Sequence, residues 1–204
     1  MAAANLSSSS RPTSRRLPRR ALRPWPRGFT LSAEAYRWRC ACCGQEFIGL
    51  PMDVAFDAPV NPDGLDTVAR STFRKNDDFC VVRYATGQTD RFIRCLLRLP
   101  VPQLSDEFCF GVWMSVSERS WNVYRDGYDS GQYENELCFG YLMHDIPEYP
   151  SSMHLHANVV FQTGNLRPKV FLHDADHPLV VAQRDGVDVT QIERWVALTH
   201  RPEV

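Results

Sequence analysis

Two apolar runs joined by a short polar segment determine the fold expected for this chain. They are Asp90-Arg-Phe-Ile-Arg-Cys-Leu-Leu-Arg-Leu-Pro100 and Phe108-Cys-Phe-Gly-Val-Trp-Met-Ser-Val116. Aliphatic and aromatic residues in runs of this length favour strands, and residues 101–107 have the length of a longer hairpin connection. The pair therefore predicts an antiparallel β-hairpin.

The flanking sequence adds shorter strands and several helices. Strand patterns occupy residues 36–40, 79–84, 137–143, 154–161 and 168–172. Helical spacing or capping residues predict helices at 65–73, after Ser117, after Asp176, and after the capping box Thr190-Gln-Ile-Glu193. We therefore predict an α+β fold with a mainly antiparallel sheet of about five to six strands and three to four helices, including a C-terminal helix.

Charge is divided unevenly along the chain. Residues 1–39 hold nine arginines and one acidic residue, Glu34, whereas residues 40–204 hold 14 basic and 23 acidic residues. Binding to a phosphate backbone needs clustered Lys and Arg, so the acidic body is not expected to bind nucleic acid.

The first 35 residues are rich in Arg, Ser and Pro, without a helical or strand period. This composition predicts a disordered arm at 1–35, followed by a single α+β domain at 36–204. The arm has features of a transit peptide and of a basic segment that touches nucleic acid or anionic lipid. Only composition supports either role, so an extension without a role, or a start assigned too far upstream, is preferred.

Cysteine usage and apolar run length indicate the compartment. The seven cysteines are odd in number, and several lie inside apolar runs, which is unlike a disulfide framework. No apolar run approaches the ~20 residues that a membrane-spanning helix needs. We expect a cytoplasmic protein without a membrane span.

The segment Cys40-Ala-Cys42-Cys43-Gly44 is the densest group of soft metal ligands in the sequence. Cys40 and Cys43 have the C-x-x-C spacing that lets two thiolates reach one zinc ion across a tight turn. No second C-x-x-C follows, so further ligands would have to come from distant His or Cys. The alternatives are a reduced knuckle that only packs and, with less support, a redox pair.

Two histidine groups also have ligand chemistry. His154 and His156 would share one strand face, but no third ligand is nearby in the sequence. Asp176 and His177 lie in a segment dense in His and Asp, and Asp176 is expected to cap a helix that begins at Pro178. An exposed polar face is preferred for His154 and His156, and a structural role is preferred for Asp176 and His177.

The central hairpin carries a further candidate binding group. Asp90 and Arg94 fall on one strand face and Arg91 on the other, while Trp113 with Glu118 beyond it could line a groove. An Arg–carboxylate pair here would hold a substrate anion or simply bridge strands, and the bridge is preferred.

Several short motifs occur in one order along the chain. They are Cys-x-Cys-Cys-Gly (40–44), Gly-Leu-Pro (49–51), Phe-Asp-Ala-Pro (56–59), Asp-Arg-Phe-Ile-Arg (90–94), Gly-Val-Trp-Met-Ser-Val-Ser-Glu (111–118), Phe-Gly-Tyr-Leu (139–142), Leu-Arg-Pro (166–168) and Asp-His-Pro-Leu-Val-Val-Ala-Gln-Arg-Asp-Gly-Val (176–187). This series, over residues 36–200, resembles the bacterial domain of unknown function 2199. The resemblance implies a bacterial cytosolic protein and implies no activity. Its pattern often has a histidine shortly after the Cys-Cys-Gly turn, where this chain has Phe47.

The expected function is partner binding rather than catalysis. The chain has no Gly-rich phosphate loop, no G-x-S-x-G and no H-E-x-x-H motif. Its body is acidic, and Trp121, Tyr124, Tyr128 and Tyr133 are expected to be exposed. We predict a non-enzymatic domain that binds an unknown protein partner, for example as an immunity-type inhibitor. The alternative is a zinc-binding protein or a metal-dependent enzyme that uses Cys40 and Cys43 with a distant His.

Overall fold

The architecture comes from a computed structural model, which describes residues 32–133, 137–164 and 166–199. Most of the predicted arm, residues 1–31, lies outside the described residues. Ala33–Ala35 forms one turn of 3-10 helix, capped by the Ser32 hydroxyl.

Within the described ranges the chain forms ten strands and four α-helices. The strands are β1 (Arg37–Arg39), β2 (Glu46–Ile48), β3 (Asp53–Ala55), β4 (Arg74–Lys75), β5 (Phe79–Arg83), β6 (Thr89–Val101), β7 (Asp106–Val116), β8 (Leu137–Leu142), β9 (His156–Val160) and β10 (Lys169–Leu172). The helices are α1 (Thr67–Thr72), α2 (Glu118–Gly127), α3 (Pro178–Asp185) and α4 (Val189–Thr199). The α+β class and the C-terminal helix are confirmed.

The predicted hairpin is the longest paired unit of the sheet. Strands β6 and β7 pair antiparallel over ten residue pairs, from Phe92↔Ser115 to Val101↔Asp106. Along β6 the odd-numbered residues from Ile93 to Val101 are buried, as the period-two alternation of a strand requires. These residues line the inner face of the hairpin.

The prediction of a mainly antiparallel sheet of five to six strands was wrong in detail. The main sheet has eight strands, and β7, β8, β9, β10 and β6 close into a ring because β6 also pairs with β7. Two contacts are parallel: β10 with β6 and β3 with β7. The result is a mixed five-stranded barrel, with β5 and β4 continuing from β6 and β3 added to β7.

The barrel interior holds the larger of two hydrophobic clusters. Fully buried side chains from β6 and β7 meet Leu179 of α3 and Ile192 and Trp195 of α4. Trp195 packs against Phe108 and Phe110, with ring centroids 5.3 and 4.9 Å away. Each such buried aromatic or leucine side chain stabilises the fold by roughly 1.5–3 kcal/mol.

The smaller cluster lies on the outer side of β5, β6 and β7. Its buried members are Ala69 of α1 with Cys80, Val82, Phe92 and Trp113. Asp66 is the N-cap of helix α1, its carboxylate accepts the Ala69 N–H, and the helix packs on β5. Among the described residues, no helix has the length and apolar character to cross a membrane.

Candidate functional site

The hairpin β1–β2 carries the cysteine segment and is anchored to the barrel core. Trp38 is buried, stacks on Phe47 at 5.1 Å and donates its indole N–H to the Gly49 carbonyl. The Tyr36 hydroxyl donates to Glu193 of α4 over 2.9 Å. Phe47, at the place of the family's expected histidine, therefore contributes to this packing.

The loop of the hairpin is a knuckle formed by residues 40–45. The Gly44 N–H donates to the Cys40 carbonyl over 2.8 Å, and the Cys40 N–H donates to Gln45 over 2.9 Å. Gly44 has a φ of +73°, a conformation that side chains with a Cβ rarely adopt. The tight turn predicted at Cys43-Gly44 is present, and it directs the cysteine side chains toward one another.

Three thiols converge in this knuckle. The sulfurs of Cys40, Cys42 and Cys43 all lie within 4.8 Å of one another, and those of Cys40 and Cys42 are 2.9 Å apart. Cys40 is fully buried, Cys43 is half-buried and Cys42 is exposed. The site is thus open to solvent on one side and rooted in the core on the other.

A hydrogen bond between the Cys40 and Cys42 thiols shifts the pKa of each in opposite directions. The Cys42 thiol hydrogen bond, with the backbone N–H groups of Cys42 and Cys43, lowers the pKa of Cys40 against the opposing effect of burial. The same interaction raises the pKa of Cys42 to about 11. Cys40 is therefore the first of the pair to become a thiolate, the form that binds metal.

The knuckle fits a thiophilic ion with an incomplete ligand set. In a tetrahedral site with Zn–S bonds of about 2.3 Å, sulfurs lie roughly 3.8 Å apart, so metal entry needs the Cys40 and Cys42 sulfurs to separate by about 1 Å. Within residues 32–133, 137–164 and 166–199, no fourth His, Cys, Asp or Glu joins the group. Three thiolates would leave one coordination position for water or another ligand.

The central hairpin brings two of the predicted binding residues together. The Arg94 guanidinium lies 5.6 Å from the Trp113 ring centroid, as their direct pairing across β6 and β7 requires. Arg91 instead pairs with Glu118 of α2 at 2.5 Å, and Asp90 accepts a hydrogen bond from Gln88. Arg91 thus forms an ion pair that joins β6 to helix α2 rather than to another strand.

Sequence reasoning missed His144, which lies beside Arg94 and Trp113. His144 is only 6% exposed, and it stacks on Phe56 with ring centroids 4.0 Å apart. Burial, and secondarily the Arg94 charge, lowers the pKa of His144 to about 4. Its one sequence signal is its position directly after the apolar run that forms β8.

Asp176 and His177 have structural surroundings different from those predicted. Asp176 is exposed and does not cap α3; the ring nitrogen Nδ1 of His177 accepts the Leu179 N–H over 3.1 Å instead. Pro178 has no N–H and restricts the preceding residue to extended backbone, which places His177 at the N-cap.

The two other histidines do not share a strand face. His154 has a φ of +65° in a turn, and β9 begins only at His156. The His156 N–H and ring contact Asp174 rather than His154. His154 therefore lies outside the strand on which the shared face was expected.

The aromatic residues expected to be exposed are packed. Tyr124 is 1% exposed, and Trp121 and Tyr128 each contact Phe79, with ring centroids 5.6 and 5.1 Å away. Tyr133 stacks on Tyr124. The period of α2 turns these rings toward the sheet, so the helix covers the outer edge of the barrel.

A different set of rings is exposed on the strands β8, β9 and β10. This outer aromatic face consists of Leu137, Phe139, Tyr141, His156, Phe171 and His173. Phe139 and Phe171 are 47% and 48% exposed and both pair with Asn158, one from each side. Phe139 also contacts Tyr141 at 5.1 Å. Exposed aromatic rings thus lie on both sides of Asn158 across three neighbouring strands.

Fold and site together define a class of protein: an α+β protein built on a mixed five-stranded barrel, with a three-cysteine knuckle on an N-terminal hairpin. The sequence model of the family described as an uncharacterized protein conserved in bacteria (DUF2199) matches residues 39–187. The chain belongs to this family, which confirms the resemblance noted from its motifs. No curated protein and no solved structure matches the chain.

Proposed function

We propose that this protein binds a zinc ion through Cys40, Cys42 and Cys43. The observation that carries the proposal is the convergence of three sulfurs within 4.8 Å of one another on a short turn. Thiolates select zinc over the oxygen-seeking cations magnesium and calcium. The C-x-x-C spacing alone supplies two ligands, Cys40 and Cys43, and Cys42 adds a third.

The proposed role of the ion is to fix the N-terminal hairpin. Hairpin β1–β2 is only three residues long on each side and pairs with no other strand of the described chain. A pair of isolated strands of this length is marginal in water without another attachment. Cys40 lies in the core cluster, so a bound ion joins the loop to the barrel.

Metal content of the purified protein tests this proposal. We expect about one zinc per chain in wild-type protein, and a loss of bound zinc in Cys42→Ser and Cys43→Ser variants. Cys109→Ser is the matched control, because Cys109 is a single half-buried thiol on β7. Folded wild-type protein that neither carries zinc nor takes it up would refute the proposal.

A second candidate function is protein binding, and the outer aromatic face favours it. Contiguous exposed apolar surface is typical of interaction sites. The surplus of acidic residues in 40–204 favours a partner with a basic surface, whose Lys or Arg side chains would lie over Phe139, Tyr141 and Phe171. An immunity-type inhibitor of a basic protein is the narrower form of this proposal.

This second function is tested by comparing two surface variants. We expect wild-type protein to retain a partner from its host in a stoichiometric complex. The double variant Phe139→Ser/Phe171→Ser should no longer bind that partner. Leu198→Ser is the control, because Leu198 is a comparably exposed residue on α4. Retention by all three proteins, or by none, counts against this face.

We also infer that the protein works in the cytoplasm. Cys80, Cys95, Cys109 and Cys138 are free thiols, and the proposed zinc site needs its three cysteines reduced.

A further inference from the structure

The junction of β3 and β8 on the edge of β7 contains polar groups without partners. Strand β3 pairs with the first half of β7 and β8 with the second half, so their ends meet at Trp113. The Phe56 N–H donates to the Gly111 carbonyl, and the Met143 N–H donates to Trp113. This arrangement places Phe56 against His144.

Arg94 differs from the other half-buried arginines of the described chain. Four arginines there are half-buried, and three of them pair with a carboxylate: Arg91 with Glu118, Arg98 with Glu107 and Arg167 with Asp78. Arg94 forms no ion pair and no side-chain hydrogen bond within the described residues, and its Nε is buried. A half-buried guanidinium without an anion is costly unless a ligand supplies one.

His144 adds a second buried nitrogen without a partner. Its Nε2 makes no hydrogen bond in the described part of the chain, and the residue is only 6% exposed. The side chain is close enough to feel the Arg94 charge, and its ring stacks on Phe56, whose carbonyl accepts the Trp113 indole N–H. Nearly all buried polar atoms in a protein interior are paired, so an unpaired nitrogen on each of these two residues needs an explanation.

The Arg94 side chain packs over Trp113. Its Cζ lies 5.6 Å from the Trp113 ring centroid, and a Cβ on Gly111 would be in ordinary van der Waals contact with its Nε, at 3.7 Å. The planar fork of a guanidinium matches the oxygens of a carboxylate or a phosphate group.

We propose that Arg94 and His144 bind an oxyanion, a carboxylate or phosphate group, at the junction of β3 and β8 with β7. Arg94 supplies the charge and the paired donors, and His144 in its Nε2–H form supplies one further hydrogen bond. This site is separate from the cysteine knuckle, and neither proposal depends on the other.

The signal of the Arg94 Nε–H group in a nitrogen-15 spectrum tests the proposal directly. Sodium phosphate and sodium acetate are titrated separately at constant ionic strength, with sodium chloride as the reference. We expect a saturable shift of the Arg94 signal with phosphate, acetate or both, and no such shift for Arg98, whose Nη1 pairs with Glu107. A response to only one of the two anions identifies the ligand class.

Two variants separate binding from structure. Arg94→Lys keeps the positive charge but removes the planar donors, and we expect its affinity for the anion to fall at least tenfold. Because this variant has no Arg94 signal, binding is followed by the chemical shift of the neighbouring Gly111 amide. His144→Phe keeps a ring on Phe56, and we expect a threefold or greater loss. If neither anion moves the Arg94 signal beyond the chloride reference, the proposal is wrong, and this wild-type result stands even where a variant does not fold.

Discussion

At the scale of single residues, the protein's chemistry depends on groups whose neighbours change their protonation. Cys40 and Cys42 share a hydrogen bond that lowers the pKa of one thiol and raises that of the other. His144 is held neutral by burial and by the Arg94 charge. Cys40 and Cys42 are two residues apart in the chain, whereas Arg94 and His144 are 50 residues apart and are brought near each other by the fold.

His144 gives the protein a pH-dependent stability. Its pKa of about 4 in the folded protein lies below the value of about 6.5 in an unfolded chain, so the unfolded chain binds the additional proton. Stability contributed by the neutral imidazole is therefore complete above pH 6.5 and is lost as the pH falls toward 4. The loss amounts to roughly 3 kcal/mol.

Urea unfolding at pH 7, 5 and 4 measures this effect. We expect the wild-type free energy of unfolding to fall more steeply over this range than that of His144→Phe, because phenylalanine does not titrate. The difference between the two proteins removes the contribution of the carboxylates common to both. Parallel pH curves would show that His144 is protonated in the folded protein as readily as in the unfolded chain.

The residues of the candidate sites differ in how far the sequence could predict them. The pairing of Arg94 with Trp113 follows from strand alternation once the hairpin is assigned, and the knuckle follows from Cys-x-Cys-Cys-Gly. His144 could not be found this way, because its neighbours Phe56 and Arg94 are brought to it by the pairing of β3, β8 and β6 with β7. The carboxylate partner of Arg91 likewise depends on where α2 lies.

At the scale of elements, β3 adds to the barrel through an unusually close approach to β7. A Cβ placed on Gly111 would lie 2.9 Å from the Cβ of Ala55, its partner in the parallel pair. Two methyl carbons do not approach this closely, so the glycine permits the two strands to pair. The same approach brings Phe56 to the junction with His144.

Gly111→Ala is therefore expected to weaken the attachment of β3. Overpacking of this kind costs about 1–3 kcal/mol, which exceeds the small gain from a less flexible unfolded chain. Gly64→Ala is the control, since a Cβ there meets nothing within 4 Å. Unfolding in urea measures both, and a Gly111→Ala protein as stable as the control would contradict the packing described.

The first residues of helices α2 and α4 differ in how closely they match the positions predicted from capping residues. Ser117 caps α2 as predicted, its hydroxyl accepting the Ser120 N–H. Helix α4 begins at Val189, two residues earlier than a capping box with Thr190 as the N-cap indicates, and the Asp188 carboxylate accepts the Thr190 N–H. Several residues near the start of a helix can act as caps. Local sequence therefore predicts that a helix is present more reliably than it predicts which residue begins it.

At the scale of the whole molecule, strand pairing rather than strand content distinguishes the barrel from the predicted sheet. The hairpin β6–β7 and the chain segments of β8, β9 and β10 were all predicted as strands. The parallel contact of β10 with β6, at Lys169↔Leu96, closes the ring. Such a contact joins residues far apart in the chain, and an apolar pattern carries no information about its partner.

Zinc binding should couple the knuckle to the stability of the molecule. A ligand that binds only the folded state stabilises it, by about 4 kcal/mol at a thousandfold excess over the dissociation constant. We expect zinc to raise the thermal unfolding midpoint of wild-type protein and a chelator to lower it again. Because protons compete for the thiols, the zinc effect should weaken as the pH falls. The Cys42→Ser protein should show a smaller zinc effect at every pH.

X-ray absorption at the zinc edge of the zinc-loaded protein tests the central claim most directly, because it counts the atoms bound to the ion. Three converging thiols predict three sulfur atoms at about 2.3 Å and one lighter atom, oxygen or nitrogen, at about 2.0–2.2 Å. The Cys42→Ser protein should show two sulfurs at most. A first shell of only oxygen and nitrogen, or a wild-type shell with two or fewer sulfurs, would contradict the three-thiolate site.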